Sequence, residues 1–202
     1  AVARNIVSTN RWVHEGRWQT AIGVDVCGKT LGLMGFGAIA KNVARRASGF
    51  GMKVLAYDPY VKELPEEFQS YVTLCGENEV ISGCDFLSLH LPLNDETRNM
   101  ISAPQLASMK AGAYVINAAR GGIVNEKDLY EALVSGHIAG AAMDVSEVEP
   151  MAKENPLRTL DNVIITPHIG MYSKEAIGAV SLICAQNVAA CAAGAELKFQ
   201  VV

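Results

Sequence analysis

The stretch Gly35-Phe36-Gly37-Ala38-Ile39-Ala40 constrains the fold more than any other. It follows a β-prone run, Thr30–Met34, and opens a helical pattern over residues 39–48. A G-x-G-x-x-A loop between a strand and a helix has a defined physical use. Gly35 permits the tight turn, Gly37 lets backbone approach a pyrophosphate, and Ala40 is small enough for the helix to pack on the strand. The free N–H groups at the helix start and its positive dipole end then hold the anion, with Ala38 and Ile39 beside it. A second β run, Lys53–Tyr57, is followed by Asp58, close to the ~20-residue spacing expected of an acid that binds ribose hydroxyls. A carboxylate there repels a 2′-phosphate, so the pattern favours NAD over NADP. The competing reading is a glycine-rich turn serving another ligand. Strand, loop, helix and acid together leave it little room.

The rest of the chain repeats the alternation. Further β runs fall at residues 71–73 (weak), Phe86–Leu89, Ala113–Asn117, 139–143 and 163–166. Between them lie a helix opening at Ser102, where Gln105 completes a capping box, and a helix from an Asn125 cap to Leu133, with Gly136 as its stop. Strands alternating with helices predict an α/β fold: a Rossmann-type, doubly wound parallel sheet with helices on both faces. Residues 61–70, with three Glu and one Lys, read as a solvated linker.

Composition narrows the class. Half of the 202 residues are apolar, which excludes a disordered chain, and 19% are charged, below the usual ~25%. The net charge of −4 argues against a nucleic-acid partner. No run approaches 18 apolar residues free of charge, so the reading excludes a membrane span. Five cysteines, an odd number without a C-x-x-C pair, predict neither a disulfide framework nor a zinc site, and no metal is expected. Buried free thiols and a reducing, cytoplasmic setting are the expectation.

In open α/β sheets ligands bind beyond the carboxyl ends of the strands. Asp58, His90, Arg120, Asp144 and His168 each follow a β run, so five strands direct polar groups to one edge. His14 and His137 fit no motif. His14 reads as arm surface, and His137 suits a helix C-terminus.

With these residues in place the sequence resembles the NAD-dependent D-2-hydroxyacid dehydrogenase family, D-3-phosphoglycerate dehydrogenase-like in type. The matching stretches are residues 28–37, Ser88-Leu89-His90-Leu91-Pro92-Leu93, Asn117-Ala118-Ala119-Arg120-Gly121-Gly122, 140–145 through Glu149 and Pro150, and Thr166-Pro167-His168-Ile169-Gly170. They stand in the family's order and spacing across about residues 5–190. The resemblance implies hydride transfer between NAD(H) and a small D-2-hydroxy or 2-keto acid. It implies that Arg120 grips the substrate carboxylate, which a guanidinium fork can do bidentately. It implies that His168 is the general acid/base and Glu149 its partner. A carboxylate beside an imidazole favours the imidazolium and fixes its tautomer. Glu147 is equally acidic, but Glu149 holds the matching position. Asp144 resembles an aspartate near the nicotinamide carboxamide. His90, Pro92, Thr97, Ala118 and Gly170 join the implied cofactor-binding set. The alternative function is a non-enzymatic NAD(H) sensor or corepressor on the same fold. A third, another Rossmann enzyme such as a sugar dehydrogenase, explains Gly35 and Asp58 but not the Arg–Glu–His set.

Ala40 stands where the family usually has glycine, and Met171 and Tyr172 where small residues are common. Residues 1–20 form an arm with Trp12 and Trp18, which need apolar cover from their own domain or from a second subunit. The resemblance implies a homodimer through this arm. Residues 21–172 are the expected NAD-binding domain. Residues 173–202, with Ser173 as N-cap, are the expected helix and tail leading toward a substrate domain. The chain begins at Ala1 without Met, and roughly 100 residues are expected to precede it.

Overall fold

A computed structural model describes residues 1–197; the end of the expected 173–202 tail lies outside the described residues. Seven strands form one parallel sheet: β1 (Thr30–Met34), β2 (Lys53–Tyr57), β3 (Val72–Leu74), β4 (Phe86–Leu89), β5 (Ala113–Asn117), β6 (Ile138–Met143) and β7 (Val163–Ile165). Their order is β3-β2-β1-β4-β5-β6-β7, so the connections reverse direction between β1 and β4. That reversal opens a crevice at the carboxyl edge, where a dinucleotide binds in such sheets.

Side-chain alternation explains why both faces are covered. Leu31, Leu33, Phe86 and Tyr114 point to one side, where α2 (Ala38–Gly49) lays Ala40, Ala44 and Ala47 against them. Met34, Leu87, Leu89 and Val115 point to the other, against α3 (Glu77–Gly83), α4 (Ala103–Ser108) and α5 (Glu126–Val134). The first face also takes Ala3, from a single helical turn at Val2–Arg4 ahead of α1 (Ile6–His14).

Several local expectations need correction. The supposed linker carries a short helical turn, Glu66–Phe68, whose Phe68 is fully buried edge-on against Phe36 at 5.3 Å between ring centres. Its charges flank one apolar anchor, and Arg45, paired with Glu67, lies over the Phe68 ring. Helix α3 carries no Ser, Thr, Asp or Asn cap. Its N-cap is Gly76, whose amide donates to Glu79 Oε2 at 2.8 Å, so the usual start signal is missing. The thiols are not uniformly buried. Cys84 is, and burial pushes it up to about 12, whereas Cys27, Cys184 and Cys191 are exposed. Cys184 and Cys191 lie on a helix whose small apolar residues imitate a core pattern.

The arm is covered in part by its own unit: Ala3 O accepts the Val24 amide at 2.8 Å, and Arg11 pairs with Asp161. Trp18 remains 89% exposed. One compact unit spans Ala1–His168, and a second begins at Ile169. The second holds α6 (Lys174–Ala192), capped by the Ser173 hydroxyl, which accepts the Ala176 amide at 3.0 Å. Its mean hydropathy reaches 1.4, so by length and composition it could cross a membrane, and the exclusion of a span does not hold. Ser181, Gln186 and Asn187 interrupt the apolar run, yet residues 176–195 carry no charge.

Candidate functional site

The sheet ladder continues one step past the strands and fixes the candidate residues. Gly35 N–H donates to Tyr57 O (2.7 Å), His90 N–H to Met34 O (2.8 Å), Asp144 N–H to Asn117 O (2.9 Å) and His168 N–H to Asp144 O (2.7 Å). Asp58, His90, Arg120, Asp144 and His168 therefore share the carboxyl edge.

The glycine loop fits a dinucleotide. Gly35 has φ +89, and a Cβ there would stand 2.6 Å from His90 O, so the turn after β1 demands glycine. Gly37 is different. Its φ of −75 suits any residue, and a Cβ there would meet nothing within 4 Å. The fold itself does not require glycine at this position, whereas close approach of a pyrophosphate does. Gly37, Ala38 and Ile39 are exposed at the start of α2 and Ala40 is buried, so the first-turn amides face outward while the helix packs inward. Asp58 braces the loop: Oδ2 accepts the Phe36 amide at 2.8 Å and Oδ1 the Tyr60 amide at 2.9 Å. A carboxylate retains further lone pairs for ribose hydroxyls.

Across the crevice, His90 is mostly buried and hydrogen-bonded through Nε2 to Ser88 Oγ at 3.0 Å. Burial pushes its pKa down to about 4. The folded chain thus binds this proton less readily than the unfolded one, and stability falls as pH drops from 6.5 toward 4. We expect a loss of about 3 kcal/mol between neutrality and the lower end of that window. Urea unfolding across the window checks this, and His90→Gln should flatten the slope. Thr97 turns into its own loop, its hydroxyl donating to Pro92 O at 2.7 Å, while Pro92 and Ala118 are exposed.

His168 and Glu149 meet directly, Nδ1 to Oε2, at 2.8 Å. The His168 hydrogen bond, ahead of the Ser146 amide, holds the Glu149 carboxyl below its ordinary range. His168 has φ 55, a left-handed backbone that a non-glycine residue adopts only under constraint. Its amide, bonded to Asp144 O and Thr166 O, holds that conformation. The Asp144 carboxylate in turn accepts the Thr166 hydroxyl. Asp144, Glu149 and His168 line a cavity of about 800 Å³ together with Val7, Val163 and Ile165. Arg120 and the glycine loop do not line it.

Arg120 is exposed on the turn after β5, its Nη1 donating to Ala119 O at 2.7 Å. Two residues missed as site residues hold that turn. Asn117, fully buried, donates from Nδ2 to Arg120 O (2.9 Å) and accepts the Ala119 amide (3.1 Å). An Asn ending a strand before small residues was the available signal. Gly121 lies so close to the next loop that a Cβ would stand 1.8 Å from Ser146 O. Glu147 does not reach His168; it bonds the amide of Glu126. His137 bonds the Met109 carbonyl at 3.1 Å. Gly170 lies in the second unit, in the turn before α6. Among the described residues no three His, Cys, Asp or Glu side chains gather to hold a metal ion.

Residues 1–170 match the model of the D-isomer specific 2-hydroxyacid dehydrogenase family's NAD binding domain. The chain belongs to that family. As its NAD-binding domain, the chain is similar to the D-3-phosphoglycerate dehydrogenase of Methanocaldococcus jannaschii. The two are 44% identical over 190 residues, which cover 93% of this chain and 36% of that protein. The hydroxypyruvate reductase of Thermotoga maritima is 46% identical over 182 residues, 87% of this chain and 58% of that one. Among solved structures, a D-lactate dehydrogenase with NAD+ from Lactobacillus jensenii aligns with a TM-score of 0.87 at 32% identity, over 100% of this chain and 64% of its own. The chain spans less than two thirds of each of these dehydrogenase relatives.

Proposed function

We propose that the protein containing this domain interconverts a small D-2-hydroxy acid and its 2-keto acid with NAD(H). The observation that carries the reading is the His168–Glu149 pair at 2.8 Å, set on the carboxyl edge that also bears Arg120 and the glycine loop. Gly35, Gly37, Ala38, Ile39 and Asp58 hold the pyrophosphate and ribose. His90, Pro92, Thr97, Ala118 and Asp144 line the remaining cleft. When bound, the nicotinamide supplies or accepts the hydride. Arg120 binds the substrate carboxylate and draws charge toward the keto oxygen. His168 delivers a proton to that oxygen in reduction and removes it in oxidation. Glu149, accepting at Nδ1, leaves Nε2 as the nitrogen that carries the exchanged proton.

The domain division follows: residues 21–172 bind NAD, an arm at 1–20 precedes them, and the helix and tail of 173–202 lead toward a substrate domain. The exposure of Trp18 (89%) on the arm and of Ile22 (99%) just after it supports a homodimer formed through the arm. Unpaired cysteines accord with a reducing, cytoplasmic setting.

Steady-state assays of the full-length protein against a panel of 2-keto acids test this reading. NADH should be oxidised with at least one acid, and NADPH used far less well, because Asp58 repels its extra phosphate. Tight NADH binding with no turnover across the panel would favour a dinucleotide sensor instead.

A further inference from the structure

We propose that Glu147 and Glu126 form a clamp that fixes the loop carrying Glu149 against the segment carrying Arg120, so both are positioning residues for the reaction. The inference rests on the dehydrogenase reading above. Glu147 precedes Glu149 on the loop after β6, and Glu126 opens α5 at the end of the segment that begins with Arg120. Each carboxylate accepts the other's backbone amide. Glu147 Oε1 takes the Glu126 N–H at 3.0 Å, and Glu126 Oε1 takes the Glu147 N–H at 2.7 Å. The second oxygen of Glu126 accepts Asn155 Nδ2 at 2.5 Å, and Asn155 Oδ1 accepts the Leu157 amide at 3.0 Å. Three segments are thereby joined at one point.

Capping of α5 accounts for only half of this arrangement: Glu147 answers the first-turn Glu126 amide, but the return bond from the Glu147 amide to Glu126 Oε1 serves no helix end. Asn125 already caps α5, its side chain accepting the Asp128 amide at 3.0 Å. Two neighbouring carboxylates repel one another, and they are held here because each answers an amide N–H through a charge-assisted bond. The clamp also explains the contact between Gly121 and Ser146 O, which requires the two segments to stay in register. Within the clamped loop the Ser146 amide donates to Glu149 Oε1 at 3.2 Å, leaving Oε2 for His168. Glu149 itself is exposed, so its aim depends on the loop that bears it.

Variants of the full-length protein test the clamp. Glu147→Gln keeps an oxygen for the Glu126 amide and should retain kcat. Glu147→Ala should lower kcat by about 10- to 100-fold, as small displacements of reacting groups do. NADH affinity, read by fluorescence titration, should not change in either. Glu126→Gln cannot serve both the Glu147 amide and Asn155 Nδ2 and should fall between them. A second readout does not depend on turnover. The Glu149 carboxyl faces His168, Asp144 and the Ser146 amide, so in 13C-glutamate-labelled wild-type protein it should titrate below its ordinary range. In Glu147→Ala it should move up toward 4.5, and in Glu147→Gln it should not. The clamp is overturned if Glu147→Ala leaves kcat and the Glu149 titration unchanged, or if the Ala and Gln variants lose NADH binding alike. If wild-type protein reduces no 2-keto acid, the dehydrogenase reading fails, and the Glu149 titration alone decides the clamp.

Discussion

His168→Gln should lower kcat for 2-keto acid reduction by about 10²- to 10⁴-fold while leaving NADH affinity intact. Glutamine preserves a polar side chain of similar reach but has no proton to give near neutral pH. The loss therefore isolates proton transfer from packing. The site offers no obvious substitute donor on this residue's loop: Pro167 and Ile169 flank it, and the Thr166 hydroxyl is committed to Asp144. The substitution removes the main cause of the depressed Glu149 carboxyl, which should rise toward its ordinary value. Steady-state kinetics with a parallel NADH fluorescence titration check both halves of the expectation. Wild-type kcat in the variant would remove His168 from the acid/base role.

Gly121→Ala should be nearly as damaging for a different reason. A Cβ at residue 121 would stand 1.8 Å from Ser146 O and 2.4 Å from Ser146 C. Both are backbone atoms, so no side-chain rotation relieves the overlap, and one loop must move by more than an ångström. The loops that separate are the ones bearing Arg120 and Glu149. We expect kcat/KM to fall by about 100-fold or more from misplacement, and stability to fall by about 1–3 kcal/mol from overpacking. Cofactor affinity should fall less than kcat/KM, because the glycine loop and Asp58, at the ends of β1 and β2, are untouched, while only Ala118 and Asp144 of the cofactor set lie on the loops that separate. Urea unfolding together with kinetics separates the two effects.

The elements most legible in the sequence were those whose signal is local. β1, β2, β4 and β5 are short apolar runs bounded by glycine or polar residues, and they begin and end where the sequence places them. The Asn125, Ser102 and Ser173 starts were readable because each presents a capping side chain. Helix α3 was not, since Gly76 sends no such signal and the stabilising carboxylate comes from Glu79 inside the helix. Phe68 was hidden by the acidic residues around it, and its burial depends on Phe36 arriving from elsewhere in the chain to complete the pocket that nearby Tyr71 begins.

The candidate site divides in the same way. Residues that end strands could be placed on one edge from topology alone. The features that hold them there are tertiary. The strained backbone of His168, bonded to Asp144 O, the approach of Gly121 to Ser146 O and the Glu126–Glu147 exchange each join segments distant in sequence. Periodicity carries no trace of such contacts. Glu147 and Glu149 look alike on paper, and only the folded loop sends one to an amide and the other to an imidazole.

Isotope transfer tests the central claim most directly. Full-length protein is supplied with NADH deuterated at the transferable position and with a 2-keto acid that it turns over. The account predicts deuterium at C2 of a D-2-hydroxy acid product, with the rate of transfer lowered about 10²- to 10⁴-fold by His168→Gln while NADH still binds. Tight NADH binding without deuterium in any product from the panel would contradict it.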